Sequence, residues 1–220
     1  MGFFFSIMIF LNEYHPNFPN PREVDPPGGL IAVGGDLSRE RIEKAYHLGI
    51  FPWYNPDEEI LWWSPDPRFV LFPDEVKVSK SMRKILKNQQ FSFTENACFE
   101  EVIRNCQHIE REGQDGTWIS EEYIDSFLEL NIEGKAKSIE VWLDEELVGG
   151  FYGLEVNNIF CGESMFSKVS NASKAGFLNF VLTYGQQYHL IDCQVHTDHL
   201  ESLGARHIDK YEFLDILDYK

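Results

Sequence analysis

The amino-acid sequence predicts an α+β protein, with a small N-terminal domain over residues 1–66 and a larger C-terminal domain over residues 67–220 whose mixed sheet is flanked by helices. Three observations carry this expectation. Apolar residues follow a helical period through about residue 132 and then alternate at period two, the strand period. Beyond that switch the order is meander, helix, strand, helix, strand, and a strand reached through a crossover helix tends to lie parallel in the same sheet. Between the two parts, residues 51–73 hold three Trp and five Pro, a composition that favours extended, semi-rigid chain over helix.

The elements follow in order. Residues 1–11 are apolar, but they lack the basic flank and small-residue cleavage site of a signal peptide and are too short to span a membrane. A first strand, or a segment packed on the domain, is expected there. Ser38 is a good N-cap for a helix over residues 39–48, closed by Gly49. Residues 78–88 read as a helix capped by Ser79, with Met82, Ile85 and Leu86 on one face. Two further helices are expected over 98–107 and 120–132. Strands over 138–143, 147–156 and 159–166 form the meander, joined by an Asp144-Glu145-Glu146 turn and an Asn157-Asn158 hairpin. A helix over 171–187, a buried strand over 190–195, a short helix over 199–203 ended by Gly204, and a last strand near 208–213 complete the chain. An antiparallel meander feeding such a crossover is the layout of GNAT-like acyltransferases, an analogy of fold that does not settle function.

Composition narrows the functional classes. Hydrophobic residues make up 43% and charged residues 25%, the balance of a soluble globular protein. Aromatics reach 15%, enough to fill the core and leave rings for a binding surface. The net charge of -17 argues against non-specific nucleic-acid binding and suits a cationic partner. One local exception stands out: residues 76–94 carry Lys77, Lys80, Arg83, Lys84 and Lys87 and no carboxylate. That face is either solvated surface or a phosphate contact. Cysteines 98, 106, 161 and 193 lack CxxC spacing and read as reduced thiols of a cytoplasmic protein.

The most informative stretch for chemistry is Leu190-Ile191-Asp192-Cys193-Gln194-Val195. Strand alternation puts Asp192 and Gln194 on one face, and Ile191, Cys193 and Val195 on the other. A carboxylate and an amide on a central strand are costly in a closed core; they suit either a cleft or a structural pair capping nearby backbone groups. By the same alternation Cys161, Glu163 and Met165 share a face, where Glu163 would orient an amine beside an apolar pocket or pair with a cation. Cys193, His196 and His199 follow at intervals of three, but structural zinc needs four ligands in two separated pairs, so no metal is expected. A Cys193–His nucleophile is disfavoured by the direction of Cys193. Tyr46, Trp53, Trp62, Trp63 and Trp118 are candidates to stack on unpaired bases, with most Trp reserved for the core.

A resemblance adds to this reading. The stretches GGDLSRERIEKAYHLGIFPWY (34–54), ILWWSPDPRFVLFP (60–73), VSKSMRKIL (78–86), TWI (117–119), SIEVW (138–142), LVGGFYG (147–153), CGESMFS (161–167), NASK (171–174), LIDCQ (190–194) and HLESLGA (199–205) stand in order. Together, from about residue 17 to the C-terminus, they resemble the bacterial leucyl/phenylalanyl-tRNA–protein transferases. The resemblance implies a GNAT-like C-terminal domain behind a small N-terminal one. It implies transfer of Leu or Phe, and less Met, from charged tRNA to proteins beginning with Arg or Lys, which marks them for degradation by the N-degron pathway. Asp192 and Gln194 fall on the catalytic pair and Glu163 on a substrate-orienting carboxylate. Phe151, Met165 and Ile191 fall on the pocket for the amino-acid side chain. Tyr46, Trp53 and Trp118 fall on the site for the terminal adenosine, and Lys80, Arg83, Lys84 and Lys87 on a basic cluster near the acceptor stem. The sequence departs from the family at Lys137, often His, at Lys80, often Arg, and at Phe151, usually Met or Leu.

The implied chemistry is aminolysis of an ester that is already activated, so no cofactor is expected. Asp192 would hold the amine and accept its proton, and Gln194 would orient the amine or donate to the oxyanion. No membrane is involved, and a monomer is expected. Two other classes remain to be weighed. An acyl-CoA-dependent N-acyltransferase would carry a glycine-rich Q/R-x-x-G-x-G/A loop before the helix at 171, which is absent; a non-catalytic module for basic N-termini would not need the aromatics for a tRNA end.

Overall fold

Two sheets organise the chain in the computed structural model, which describes residues 9–12, 14–24, 26–55, 57–109 and 117–219. The expectation for residues 1–8 lies outside the described residues. Strand β1 (Phe10–Leu11) pairs in parallel with β2 (Leu30–Gly34). Helix α1 (Arg39–His47) then leads to β3 (Phe51–Pro52) and β4 (Leu61–Trp63), and this first sheet runs β1-β2-β4-β3. Gly49 ends α1 at φ 71, and a Cβ there would come within 2.9 Å of the Leu214 and Phe213 side chains. Glycine therefore answers two demands, a left-handed backbone and a close approach.

The second sheet has seven strands in the order β11-β5-β10-β9-β8-β7-β6. It begins with β5 (Arg68–Leu71), followed by α2 (Lys80–Lys87), β6 (Ser92–Glu95), α3 (Phe99–His108) and α4 (Glu121–Ile132). Ser79 and Ser120 cap α2 and α4 by accepting the N–H of Met82 and Tyr123. The meander is β7 (Ala136–Leu143), β8 (Glu146–Val156) and β9 (Ile159–Ser167). Its turns are two-residue hairpins with both central residues at positive φ: Asp144-Glu145 (50 and 68) and Asn157-Asn158 (46 and 60), the twist that matches flanking strands. Helix α5 (Ala172–Tyr184) crosses over to β10 (Leu190–Gln194), which lies parallel to β9 and antiparallel to β5. The expected meander and parallel crossover strand are thus both present, with β10 between β9 and β5.

Short helix α6 (Asp198–Ser202) and β11 (Arg206–Ile208) follow. The strand expected near 208–213 stops at Ile208, and the chain turns into α7 (Lys210–Asp218). Asp209 accepts the N–H groups of Tyr211 and Glu212, and Phe213, Leu214 and Leu217 are buried at helical spacing. That cap and period outweigh the alternation suggested by a short apolar run.

The sheet has two covered faces. Helix α5 packs against β7, β8 and β9 on one, over Phe151, Phe160, Phe177, Leu178 and Ile191. Helices α3 and α4 and the first sheet cover the other, where Ile31, Tyr46 and Trp62 share an apolar cluster with Phe127, Tyr152 and Leu190. No helix of the described residues is long and apolar enough to cross a membrane.

Candidate active site

A cleft of about 760 Å³ opens at the C-terminal end of β10. Residues 51–55 of the first sheet and the loop holding Trp118 form one wall, and β8, β9 and β10 form the other. Eight of the residues that the family resemblance assigned to the site line it: Trp53, Trp118, Phe151, Glu163, Met165, Ile191, Asp192 and Gln194; Trp63, Cys193 and His199 line it as well.

A bulge shapes the end of β10. Asp192 pairs with Val70 and Gln194 with Phe69, so Cys193 is the extra residue. Gln194 is left-handed at φ 61, and its N–H donates to Asp192 Oδ1 at 2.9 Å, a turn that the short Asp side chain closes on its own backbone. Gln194 Nε2 in turn donates to Glu163 Oε1 at 2.8 Å. Tyr123 from α4 donates its hydroxyl to Glu163 Oε2 at 2.7 Å.

Behind Asp192 stands Arg68 of β5. Its Nε donates to Oδ1 at 2.8 Å and its Nη2 to Oδ2 at 2.6 Å, while Nη1 donates to the Gly49 carbonyl at 3.1 Å. The guanidinium lies 4.8 Å from the centre of the Phe51 ring and 4.5 Å from that of Phe213. Arg68 is 2% exposed and Asp192 0%. A buried ion pair is tolerated when it is bidentate and its remaining valences are met, as they are here. Both oxygens of Asp192 thus accept from Arg68, and Oδ1 accepts a further hydrogen bond from the Gln194 N–H.

Glu163 is the opposite case. It is partly exposed, and its pKa is raised to about 7. Burial is the main cause; hydrogen bonds from Tyr123 and Gln194 and the nearby Tyr46 hydroxyl restrain the rise, and the charge of Asp192 adds to it. Burial and the Glu163 charge push the phenols of Tyr46 and Tyr123 well above their usual range. Burial raises the Cys193 thiol far above the usual thiol range. It lines the cleft as a thiol whose Sγ donates to the Ile191 carbonyl at 3.8 Å, an arrangement that does not favour a Cys–His nucleophile.

A second bulge corrects the alternation in β9. Opposite Tyr152 and Gly153, the register shifts between Ser164 and Gly162, with Glu163 as the extra residue. Cys161 and Glu163 thus stay on the α3/α4 side, whereas Met165 packs with Phe151 on the α5 side. The three were expected to share a face; instead the bulge gives the carboxylate and the apolar pocket adjacent but separate walls.

The aromatics divide. Trp53 is 47% exposed at the mouth of the cleft. Trp118 is 9% exposed and packs edge-on against Tyr123 at 5.0 Å. Trp62 belongs to the core, donating to the Gly34 carbonyl. Tyr46, at 2% exposure, offers no face on which a base could stack. Its hydroxyl lies close enough to Glu163 and Tyr123 to feel both, without a hydrogen bond of standard geometry. Lys80, Arg83, Lys84 and Lys87 are exposed on α2, outside the cleft, and none has a carboxylate within ion-pair distance among the described residues. His196, Asp198 and Glu201 approach within 4.8 Å of one another, all exposed, and Cys193 is not part of that group. Arg68 and Tyr123 were not singled out in the sequence. The signal for Arg68 is a lone cation in an apolar strand, Arg68-Phe69-Val70-Leu71, directly after Pro67; nothing local marks Tyr123.

Comparison with known proteins identifies the family. A family model described as leucyl/phenylalanyl-tRNA protein transferase matches residues 70–218, and one for the N-terminal domain of that family matches residues 35–66. The leucyl/phenylalanyl-tRNA–protein transferase of Flavobacterium johnsoniae is 58% identical over 92% of this chain and 96% of its own. That of Christiangramia forsetii is 53% identical over 91% and 99%, and that of Pectobacterium carotovorum 52% over 94% and 88%. Among solved structures, a GCN5-related N-acetyltransferase-like protein from Streptococcus suis aligns with 77% of this chain and 64% of its own at TM-score 0.37 and 12% identity, too remote a likeness to bear on chemistry. With two matching models and relatives of this identity spanning nearly its whole length, the chain belongs to the leucyl/phenylalanyl-tRNA–protein transferase family.

Proposed function

We propose that the chain transfers Leu or Phe, and Met to a lesser extent, from aminoacyl-tRNA to proteins beginning with Arg or Lys, marking them for N-degron-dependent degradation. The reaction is aminolysis: the acceptor's α-amino group attacks the aminoacyl carbonyl and the terminal ribose oxygen leaves. The observation that carries this reading is the junction of an apolar wall, Phe151, Met165 and Ile191, with the Glu163–Gln194–Asp192 network in one cleft. The wall suits an apolar amino-acid side chain, and the network supplies polar groups where its ester and amine would meet.

An α-amino group has a pKa of roughly 8, so a useful fraction is neutral at physiological pH and positioning supplies much of the acceleration. Gln194 Nε2 carries two N–H groups; Glu163 engages one, which leaves the other for the substrate. Asp192 acts by fixing the left-handed turn that aims Gln194. Trp53 and Trp118 receive the terminal adenosine, and Tyr46 supports Glu163 from beneath. Lys80, Arg83, Lys84 and Lys87 contact the acceptor stem. The overall acidity of the chain favours a cationic acceptor. In this reading the working unit is a monomer acting in the cytoplasm.

The test is transfer of labelled leucine from leucyl-tRNA to a peptide beginning with Arg. Label is expected on the peptide. No transfer, or transfer that survives ribonuclease treatment of the charged tRNA beforehand, would overturn the reading.

A further inference from the structure

We propose that Glu163 takes the proton from the attacking amine, and that Arg68 and Asp192 are positioning residues that aim Gln194 at it. This rests on the aminolysis reading above.

The argument is one of access. Asp192 accepts three hydrogen bonds, two of them from a guanidinium, and has no exposed surface. With 0% of its surface exposed, Asp192 offers an amine less access than the partly exposed Glu163 does. Gln194 is not basic. Tyr46, Tyr123, Cys161 and Cys193 are all pushed up by burial, so they hold their protons and act only as donors. His199 lines the same cleft and is neutral at physiological pH, but its Nε2 is shut off from solvent. Glu58 also lines the cleft, but it is exposed and accepts from the neighbouring Asn55 amide; Glu163 is the partly exposed carboxylate that joins the Gln194 network beside the apolar wall.

The groups facing Glu163 explain why it can both accept and release a proton. Tyr46 comes from α1, Tyr123 from α4, Cys161 from β9 and Asp192 from β10, with Arg68 of β5 behind Asp192 and Tyr152 of β8 beside Tyr123. The direct contacts are neutral donors, and the charge that bears on Glu163 is that of another carboxylate, Asp192. That environment places Glu163 at about 7, where a general base is half available and its conjugate acid can still donate. In the step, the amine nitrogen bonds to the carbonyl carbon while its N–H proton passes to Glu163. The tetrahedral intermediate then collapses, the bond to the ribose oxygen breaks, and Glu163 returns the proton to that oxygen. Peptide and free tRNA leave, and Glu163 is again ionised.

The experiment is single-turnover transfer from leucyl-tRNA to an Arg-initiated peptide between about pH 5.5 and 9. Wild type, Glu163→Gln and Tyr123→Phe are compared, with charged-tRNA binding measured on each. Wild type should show a rising limb near 7. Glu163→Gln should lose that limb, keep only the rise of the peptide amine itself at roughly 8, and fall about 100-fold near neutrality, with charged-tRNA affinity within about threefold. Tyr123→Phe removes a donor to the ionised form, so the limb should move to higher pH. A Glu163→Gln profile that keeps the limb near 7 at a uniformly lower rate, or a Tyr123→Phe limb that stays in place, would mean that Glu163 only orients and would overturn the proposal. Failure of wild type to transfer at any pH would instead sink the aminolysis reading.

Discussion

Behind the cleft, Asp192 is fully buried and gripped by the guanidinium of Arg68; at its wall, Glu163 is partly exposed and held by the neutral donors Tyr123 and Gln194. The two carboxylates belong to one hydrogen-bonded chain, joined through Gln194. A guanidinium that donates to both oxygens holds a carboxylate in one place. Neutral donors within a low-dielectric wall fix its place while leaving it free to titrate. One network thus supplies a rigid support at one end and a proton-exchanging group at the other.

The largest effect should come from breaking the rigid end. Arg68→Gln leaves a buried Asp192 without its charge partner and should cost about 3–5 kcal/mol of stability, measured by urea denaturation. A loss below about 1 kcal/mol would mean that the pair is not locked. Next comes the titrating end. The folded-state pKa of Glu163, about 7, lies above its ordinary 4.5, so the folded protein binds that proton more tightly. The associated stability is complete below about 4.5 and is lost as pH rises through about 7. Glu163→Gln should abolish that loss and be the more stable protein above neutrality, by at most about 3 kcal/mol. Parallel stability–pH curves for wild type and variant would contradict it.

Asp192→Asn keeps the shape of the rigid end but weakens its grip on Arg68. Turnover should fall about 100-fold, near 2.7 kcal/mol of barrier, with charged-tRNA binding nearly intact; unchanged turnover would remove Asp192 from the mechanism. Away from the cleft, replacing Lys84 and Lys87 together by Gln should weaken charged-tRNA binding about tenfold and flatten its salt dependence. The smallest effect is expected at Phe151→Leu, where a smaller wall should move the Leu-versus-Phe preference toward Phe by about 1 kcal/mol, read from competing charged tRNAs.

The legible parts of the molecule were those set by local pattern. The meander, its Asn157-Asn158 turn, the Ser79 and Ser120 caps and the crossover to β10 all follow from neighbours in sequence. So does the identity of Asp192 and Gln194 as polar residues on a central strand. What escaped was set by contacts across the chain or by single inserted residues. Arg68 meets Asp192 across 124 positions, and Tyr123 meets Glu163 across 40; no spacing rule reaches that far. The bulges at Cys193 and Glu163 each shift strand phase by one residue. One turns Gln194 left-handed, and the other sends Met165 to the opposite face from Glu163. Tyr46 looked like a stacking ring because aromaticity is visible in sequence and burial is not. The strand expected at the C-terminus became α7 because Asp209 offered a cap to residues whose apolar period was already helical.

The most direct measurement is the fate of labelled leucine when leucyl-tRNA is offered an Arg-initiated peptide and the same peptide acetylated at its N-terminus. Aminolysis by a free α-amino group requires label on the first peptide alone, joined through its α-nitrogen. Label on both peptides, or on neither, would contradict it.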